Sequence, residues 1–294
     1  GLWTDSRYFL QAADELSGSG FDLMKMGLPE TPDIIPWLMT TLKSGEKVAV
    51  NAQMFSVNAY AAMQTELASI GIELVSIDLM KLVWTDRPSL PQLPFYVFDT
   101  KFSGQSTAEK LAATRAEMAH LRAQVFVMSA LDDIAWLFNI RGNDVDYNPV
   151  VIAYAVVEEK SVSLFVDKTK LTDSTIEYLQ NEAVIVNDYE AINEALGRLD
   201  ASKTVLFDGA KLNRALFESI PAACPKKNAM SPVFRLKSIK NKVEMAGVRR
   251  AMIKDGVALT RFFNWLEENL TGGKLNVYNI DEQLYLFRSQ QENF

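Results

Sequence analysis

Strand-like and helix-like stretches alternate along most of this 294-residue chain, and one proline run interrupts them. Pro88, Pro91 and Pro94 fall within the stretch from Trp84 to Pro94. Proline removes a backbone donor and fixes φ, so a run this dense excludes both a helix and a central strand. The stretch therefore reads as a linker, ending near Gly104, between two α/β units.

Before the linker, Leu2–Thr4 is a strand end and Ser6–Leu16 is helical. Phe21–Met26 is a strand closed by Gly27. Thr31-Pro32 has the chemistry of a helix start, because Thr caps and Pro is tolerated at the first helical position. Gly45 ends that helix. Strand Lys47–Val50, helix Ser56–Ser69 and strand Glu73–Ile77 follow.

Beyond the linker, a helix spans Thr107–Ala123, with Leu111, Met118 and Leu121 on one face. Val125–Met128 reads as a buried strand, and Ser129 with Asp132 as the capping start of the next helix. Val151–Val157 and Ser161–Val166 flank a polar turn and read as a hairpin. Further strands lie at Ala183–Val186 and Thr204–Asp208. Helices are expected at Thr172–Asn181, Asp188–Leu199 and Ala210–Ser219. Pro232–Asn241 reads as a basic connector.

The two units look alike. Leu2–Arg7 parallels Leu164–Thr169 at an offset of 162, and Val48–Asn51 parallels Val205–Asp208 at an offset of 157. A repeated domain is the economical reading. From Lys242 a long amphipathic helix begins, with Met245, Val248, Met252, Leu259, Phe262, Phe263 and Leu266 at helical spacing. Gly272-Gly273 stops it, and Asn279 with Glu282 starts another helix. The wide apolar stripe around Phe262, Phe263 and Trp265 predicts an exposed patch that self-association would bury.

Composition narrows the function classes. The chain is 48% hydrophobic and 23% charged, with a formal net charge of −7. That acidity argues against a nucleic-acid partner. With Cys224 as the single cysteine, an internal disulfide is excluded, and a reducing, cytoplasmic compartment is the simple expectation. The sequence has no 18-residue apolar run and no signal peptide, so no membrane partner is expected. A start at Gly-Leu leaves the native beginning open.

Candidate chemistry is sparse. His120, the one histidine, reads as a surface residue at the solvent edge of its helix. Asp132 and Asp133 read as a helix cap, and Asp144 and Asp146 as a solvated loop without the glycine spacing of a calcium loop. Ser17–Gly20 lacks phosphate-loop spacing. Cys224 has no partner pattern that would make it a nucleophile. Lys226-Lys227 and Lys237–Lys242 read as solvated faces. The sharper feature is the corner Asn139-Ile140-Arg141-Gly142. Glycine there permits a positive-φ turn, and the guanidinium beside it can pair with a carboxylate.

The segment 129–151, SALDDIAWLFNIRGNDVDYNPVV, resembles the second domain of the three-domain, cytosolic type of aminopeptidase P. Trp3–Ala12 extends the likeness, with Ser6 where that family usually has Gly. So do Leu23–Leu28, Trp84–Pro88, Lys240-Asn241, Val248–Ala251 and Phe287–Gln291. The resemblance covers essentially the whole chain, and its order implies that the first domain lacks its opening strands here.

The resemblance implies two similar creatinase N-terminal-like α/β domains, with mixed sheets flanked by helices. These lead into the opening helices of a truncated pita-bread catalytic domain. The expected boundaries are 1–98, 99–235 and 236–294. It implies a parent Xaa-Pro aminopeptidase that removes the N-terminal residue of peptides with proline second. The parent would bind two divalent metals, commonly manganese, through two Asp, one His and two Glu, whose hydroxide attacks the peptide carbonyl. Those ligands lie C-terminal to the long helix, so no catalytic or metal residue is expected in this chain. Its expected role is to shape cleft access, contact its own catalytic domain and support a homodimer. Arg141, Gly142 and Asn139 are the candidates for substrate access or inter-domain contact, against the alternative of an arginine tying a turn to its own domain. Two other readings stay open: a creatinase-like protein-binding module of the histone-chaperone type, and a prolidase acting on dipeptides.

Overall fold

The computed structural model describes residues 1–273 and 275–292. Alternation of apolar residues builds the central sheet. In β6 (Val125–Met128) every residue is buried, but Val125 and Val127 enter one core while Phe126 and Met128 enter the other. A strand that points successive side chains to opposite faces must be covered on both. Here β8 (Ala153–Glu158), β9 (Val162–Val166), β10 (Ile185–Asp188), β11 (Val205–Phe207) and β12 (Lys226–Asn228) join it in the order β10-β9-β8-β6-β11-β12. β8 runs antiparallel to both β6 and β9, and the remaining pairs are parallel, so the six-stranded sheet is mixed. The β8–β9 hairpin pairs Val157 with Val162 and Ala153 with Val166, close to the expected hairpin.

One face carries α6 (Thr107–His120), α7 (Leu131–Leu137), α8 (Asp173–Asn181) and α11 (Pro232–Ser238), through Leu111, Met118, Ile134, Leu137, Leu179 and Val233. The other carries α9 (Ile192–Gly197) and α10 (Arg214–Ser219), through Ile192, Leu196 and Leu216. A short ribbon, β5 (Tyr96–Val97) against β7 (Ile140–Arg141), and the single turn α5 (Thr100–Ser103) close one end.

The N-terminal unit is built from β1 (Leu2–Thr4), α1 (Phe9–Glu15), β2 (Leu23–Lys25), α2 (Ile34–Thr41), β3 (Lys47–Val50), α3 (Val57–Ala68), β4 (Glu73–Ser76) and α4 (Met80–Val83). Its strands form two separate parallel pairs, β1-β2 and β3-β4, rather than the expected mixed sheet. Its core is small, centred on Tyr60, Met63, Leu67, Ile72 and Leu74. It is stitched to the second unit by backbone. Val57 N donates to Leu212 O at 2.9 Å, Asn58 N to Gly209 O at 2.9 Å, and Arg214 N to Phe55 O at 2.8 Å. A Cβ on Gly209 would lie 2.4 Å from Asn58 Oδ1 and 2.5 Å from Asn228 Nδ2, so any other residue would displace that side-chain pair.

The long helix is α12 (Lys242–Leu270), and α13 (Val277–Ser289) folds back on it, with Arg288 Nε donating to Asp255 Oδ1 at 2.7 Å. Of the expected stripe, Phe262 is buried, while Met245, Val248, Met252 and Phe263 remain exposed.

Several expected helix boundaries shift, each for a capping reason. α2 starts after Asp33, so Thr31 does not cap it. α13 is capped by Asn276 and Asn279 rather than by Asn279 and Glu282. Ser129 does not cap α7; its hydroxyl donates to Lys211 O at 2.9 Å, and Ala130 holds the cap position. The 232–241 connector is largely α11, begun by Ser231 with Pro232 in its first turn. Lys226-Lys227 is not a solvated face. It forms the edge strand β12, and its ammonium groups donate to Pro221 O and Leu121 O, each at 2.8 Å.

Candidate functional site

The corner 139–142 lies where the second unit meets the root of α12. Asn139 is the residue with positive φ, 49°, and Gly142 is not, which corrects the expected role of the glycine. Asn tolerates the left-handed region because its side chain finds local partners. Here its Nδ2 donates to Gln105 O at 2.8 Å, and its Oδ1 accepts from Lys110 Nζ at 2.6 Å. Gly142 is needed for close approach instead, since a Cβ would sit 3.0 Å from Val151 Cγ2 and 3.2 Å from Val150 O. Arg141 donates through Nη1 to Ala135 O at 2.7 Å and Ile140 O at 2.8 Å, and its guanidinium lies 4.4 Å from the Phe98 ring centre. Burial pushes its pKa down, while Tyr96 and Glu244 oppose the shift.

Lys110 is the centre that reasoning from sequence passed over. It is 1% exposed, and its Nζ donates to Trp136 O at 2.8 Å as well as to Asn139. The ammonium lies 4.4 Å from the centre of the Trp136 ring, a cation–π distance. Burial pushes its pKa down to about 8; Glu244 raises it and Arg141 lowers it. The signal was available, because Lys110 shares a helical face with Thr107, Leu111 and Thr114, all buried.

From Trp136 the network reaches α12. Trp136 Nε1 donates to Glu244 Oε1 at 3.3 Å. Glu244 Oε2 accepts from Asn241 N at 2.9 Å, and Asn241 Oδ1 accepts from the amides of Val243 and Glu244. This reciprocal capping box satisfies the first amides of the helix. Asn241 Nδ2 also donates to Ser103 O at 2.7 Å. Gly104 turns the chain there at φ 70°, and a Cβ on it would lie 2.6 Å from Asn241 Oδ1. The cap residues therefore dock the helix as well as start it.

A second cluster pins α11. Ser231 Oγ donates to Asp133 Oδ2 at 2.7 Å, and Lys237 Nζ donates to Asp133 Oδ1 at 2.7 Å and pairs with Asp132. Asp132 and Asp133 thus work as ion-pair partners rather than as a free cap. Asp144 is not solvated either. Its side chain, 1% exposed, accepts from Ile152 N and from Lys170 Nζ, each at 2.6 Å. Asp146 and His120 are exposed, and Cys224 is buried. Among the described residues no group of three or more His, Cys, Asp or Glu side chains could hold a metal ion. The residues present do not fit a dinuclear centre, and no metal-dependent step is assigned to them. Among the described residues no helix is long and apolar enough to cross a membrane.

A profile described as the Creatinase/Prolidase N-terminal domain matches residues 86–244, more than half the chain. The chain belongs to the creatinase/prolidase N-terminal domain family. That match includes the 139–142 corner, Lys110 and the capping box of α12. Over 311 residues this family member is 40% identical to "Probable Xaa-Pro aminopeptidase P" of Coprinopsis cinerea, covering all of this chain and 50% of that protein. It is 33% identical over 307 residues to "Xaa-Pro aminopeptidase 1" of Dictyostelium discoideum, covering all of this chain and 48% of that protein. The X-prolyl aminopeptidase of Caenorhabditis elegans, described as a cytosolic enzyme with a di-nuclear active site, superposes with a TM-score of 0.90 at 29% identity. That match covers 99% of this chain and 49% of the worm enzyme. The chain spans about half the length of the curated relatives it matches.

Proposed function

We propose that this chain is the N-terminal, non-catalytic part of a cytoplasmic, metal-dependent Xaa-Pro aminopeptidase. The parent would release the N-terminal residue from peptides with proline in the second position. Its two divalent metals, manganese by preference, would be held by residues outside this chain. The observation that carries the reading is the TM-score of 0.90 over 99% of the chain to an X-prolyl aminopeptidase about twice its size. The division we propose is 1–98 and 99–235 for the two α/β domains and 236–294 for the approach to the catalytic domain.

The part played by this chain would be architectural. It would flank the cleft, restrict entry to short peptides and support a homodimer. The network from Lys110 and Asn139 through Trp136 to Glu244 supports a role in setting the angle at which α12 leaves the second domain. Arg141 and Gly142 would shape the same junction, with the guanidinium tied to its own turn.

The test is release of arginine from Arg-Pro-Pro with added manganese. The chain would be assayed alone and after mixing with the separately made C-terminal half of the parent. Silence alone and activity in the mixture is the expected result. Turnover by the chain alone would overturn the non-catalytic assignment, and silence of an associated mixture would overturn the peptidase reading.

A further inference from the structure

The proline run between the two α/β units carries a pattern that a plain spacer does not need. Pro88, Pro91 and Pro94 recur at every third residue, and Leu90-Pro91 and Leu93-Pro94 repeat one dipeptide at the same interval. Three residues make one turn of a polyproline II helix, which rises ~3.1 Å per residue and has no internal hydrogen bonds. On such a helix Leu90 and Leu93 line one edge, Pro91 and Pro94 the next, and Ser89 and Gln92 the third. Two edges are therefore apolar and one is polar, with the leucines ~9 Å apart along the axis.

The fold leaves this stretch available. Residues 85–94 are neither helix nor strand, and every one is exposed. Among the described residues none of 85–94 takes part in a hydrogen bond or an ion pair. Leu90 is 48% and Leu93 57% exposed. A single exposed leucine needs no explanation, but two at this interval, each followed by proline, form one continuous apolar side. Both ends are fixed. Trp84 N donates to Met80 O at 2.9 Å at the end of α4, and the buried Phe95 donates through its N to Lys170 O at 3.4 Å. Arg87 stands at the N-terminal end, its guanidinium 5.5 Å from the centre of the Trp84 ring. Proline fixes φ and the anchors shorten the free segment, so little conformational entropy remains to be lost on binding.

We infer that residues 87–94 are a docking segment for a protein domain with an aromatic-lined, proline-recognising groove of the SH3 kind. The chemistry selects that groove. Each Leu-Pro pair fills one slot between aromatic rings, while Ser89 and Gln92 stay in water. Arg87 supplies a cation at one end, so the partner carries carboxylates beside its slots. A groove that reads adjacent prolines does not fit, because no two prolines in this stretch are neighbours.

The test measures binding of residues 1–294 to every SH3 domain encoded in the source organism's genome, each purified. The expected result is that at least one binds, and that Leu90→Ala combined with Leu93→Ala weakens it by ~10-fold or more. Arg87→Glu should also weaken it and remove most of its salt dependence. Ser89→Ala combined with Gln92→Ala should leave it unchanged. The Tm of each variant should stay within ~2 °C of the wild type, as for surface substitutions. Binding by no domain, or binding that the double leucine variant retains in full, would overturn the inference. A larger loss of Tm in that variant would also overturn it, because the leucines would then pack onto the fold rather than face a partner.

Discussion

Lys110→Met tests whether the buried amine is tolerated because it can shed its proton. Met keeps the apolar stem but leaves Asn139 Oδ1 without its donor and Trp136 O with only the 3.4 Å bond from Asn139 N. Each buried acceptor left unpaired costs ~1–3 kcal/mol. Against that, the wild type carries the burden of a buried charge, which Met relieves. Burial holds the Lys110 pKa at about 8 against an ordinary 10.5. The unfolded chain therefore binds more protons between these values, and wild-type stability rises as pH climbs through that window. The neutral amine still has two N–H groups, enough for both acceptors. Integrating from pH 7 to 10 gives ~2.5 kcal/mol of added wild-type stability from this group. Met has nothing to titrate. The stability gap between wild type and Lys110→Met should thus widen by ~2.5 kcal/mol from pH 7 to pH 10, or ~5–10 °C in Tm for the second unit. Urea unfolding at pH 7, 8, 9 and 10 reads this directly, since titrations common to both proteins cancel in the difference. Parallel curves would refute the reasoning, and a gap that narrows toward pH 10 would show that Lys110 enters the fold charged and held by Glu244.

Other substitutions probe the same architecture. Lys170→Met leaves the Asp144 carboxylate buried without its cation and should cost ~3–5 kcal/mol, measured by urea unfolding. Replacing both partners by apolar residues should recover most of that loss. Gly104→Ala meets both a positive φ and a close approach to Asn241 Oδ1, so it should destabilise by ~1–3 kcal/mol and speed proteolysis at the root of α12. The exposed residues Met245, Val248, Met252 and Phe263 should bind a hydrophobic dye and drive concentration-dependent association. A monodisperse monomer in sedimentation with no dye signal would remove that expectation.

Much of the architecture was legible because it rests on local periodicity. The proline run, the hairpin of β8 and β9 and the 29-residue α12 follow from backbone limits and from the period of apolar side chains. The duplicated Asp5 and Asp167 turns were legible as a repeat for the same reason, since a cap acts over two or three residues. The candidate corner was legible only as a place. Which of its residues takes positive φ depends on what surrounds it: Asn139 can, because Lys110 and Gln105 satisfy its amide, and Gly142 is needed for the space beside Val151.

What the sequence by itself determined was the order and type of most elements, and that one cysteine allows no disulfide within these 294 residues. Only the tertiary structure decided which charges are buried and with whom. Lys110, Asp133, Asp144 and Lys170 look like ordinary surface residues in the sequence, yet they lie inside. The physical reason is that a buried charge is stable only beside partners distant in sequence, as Asp133 is beside Lys237 and Asp144 beside Lys170. Strand order was hidden for the same reason. That β1 and β3 lie in separate sheets is set by pairing between strands far apart along the chain, which no local pattern encodes.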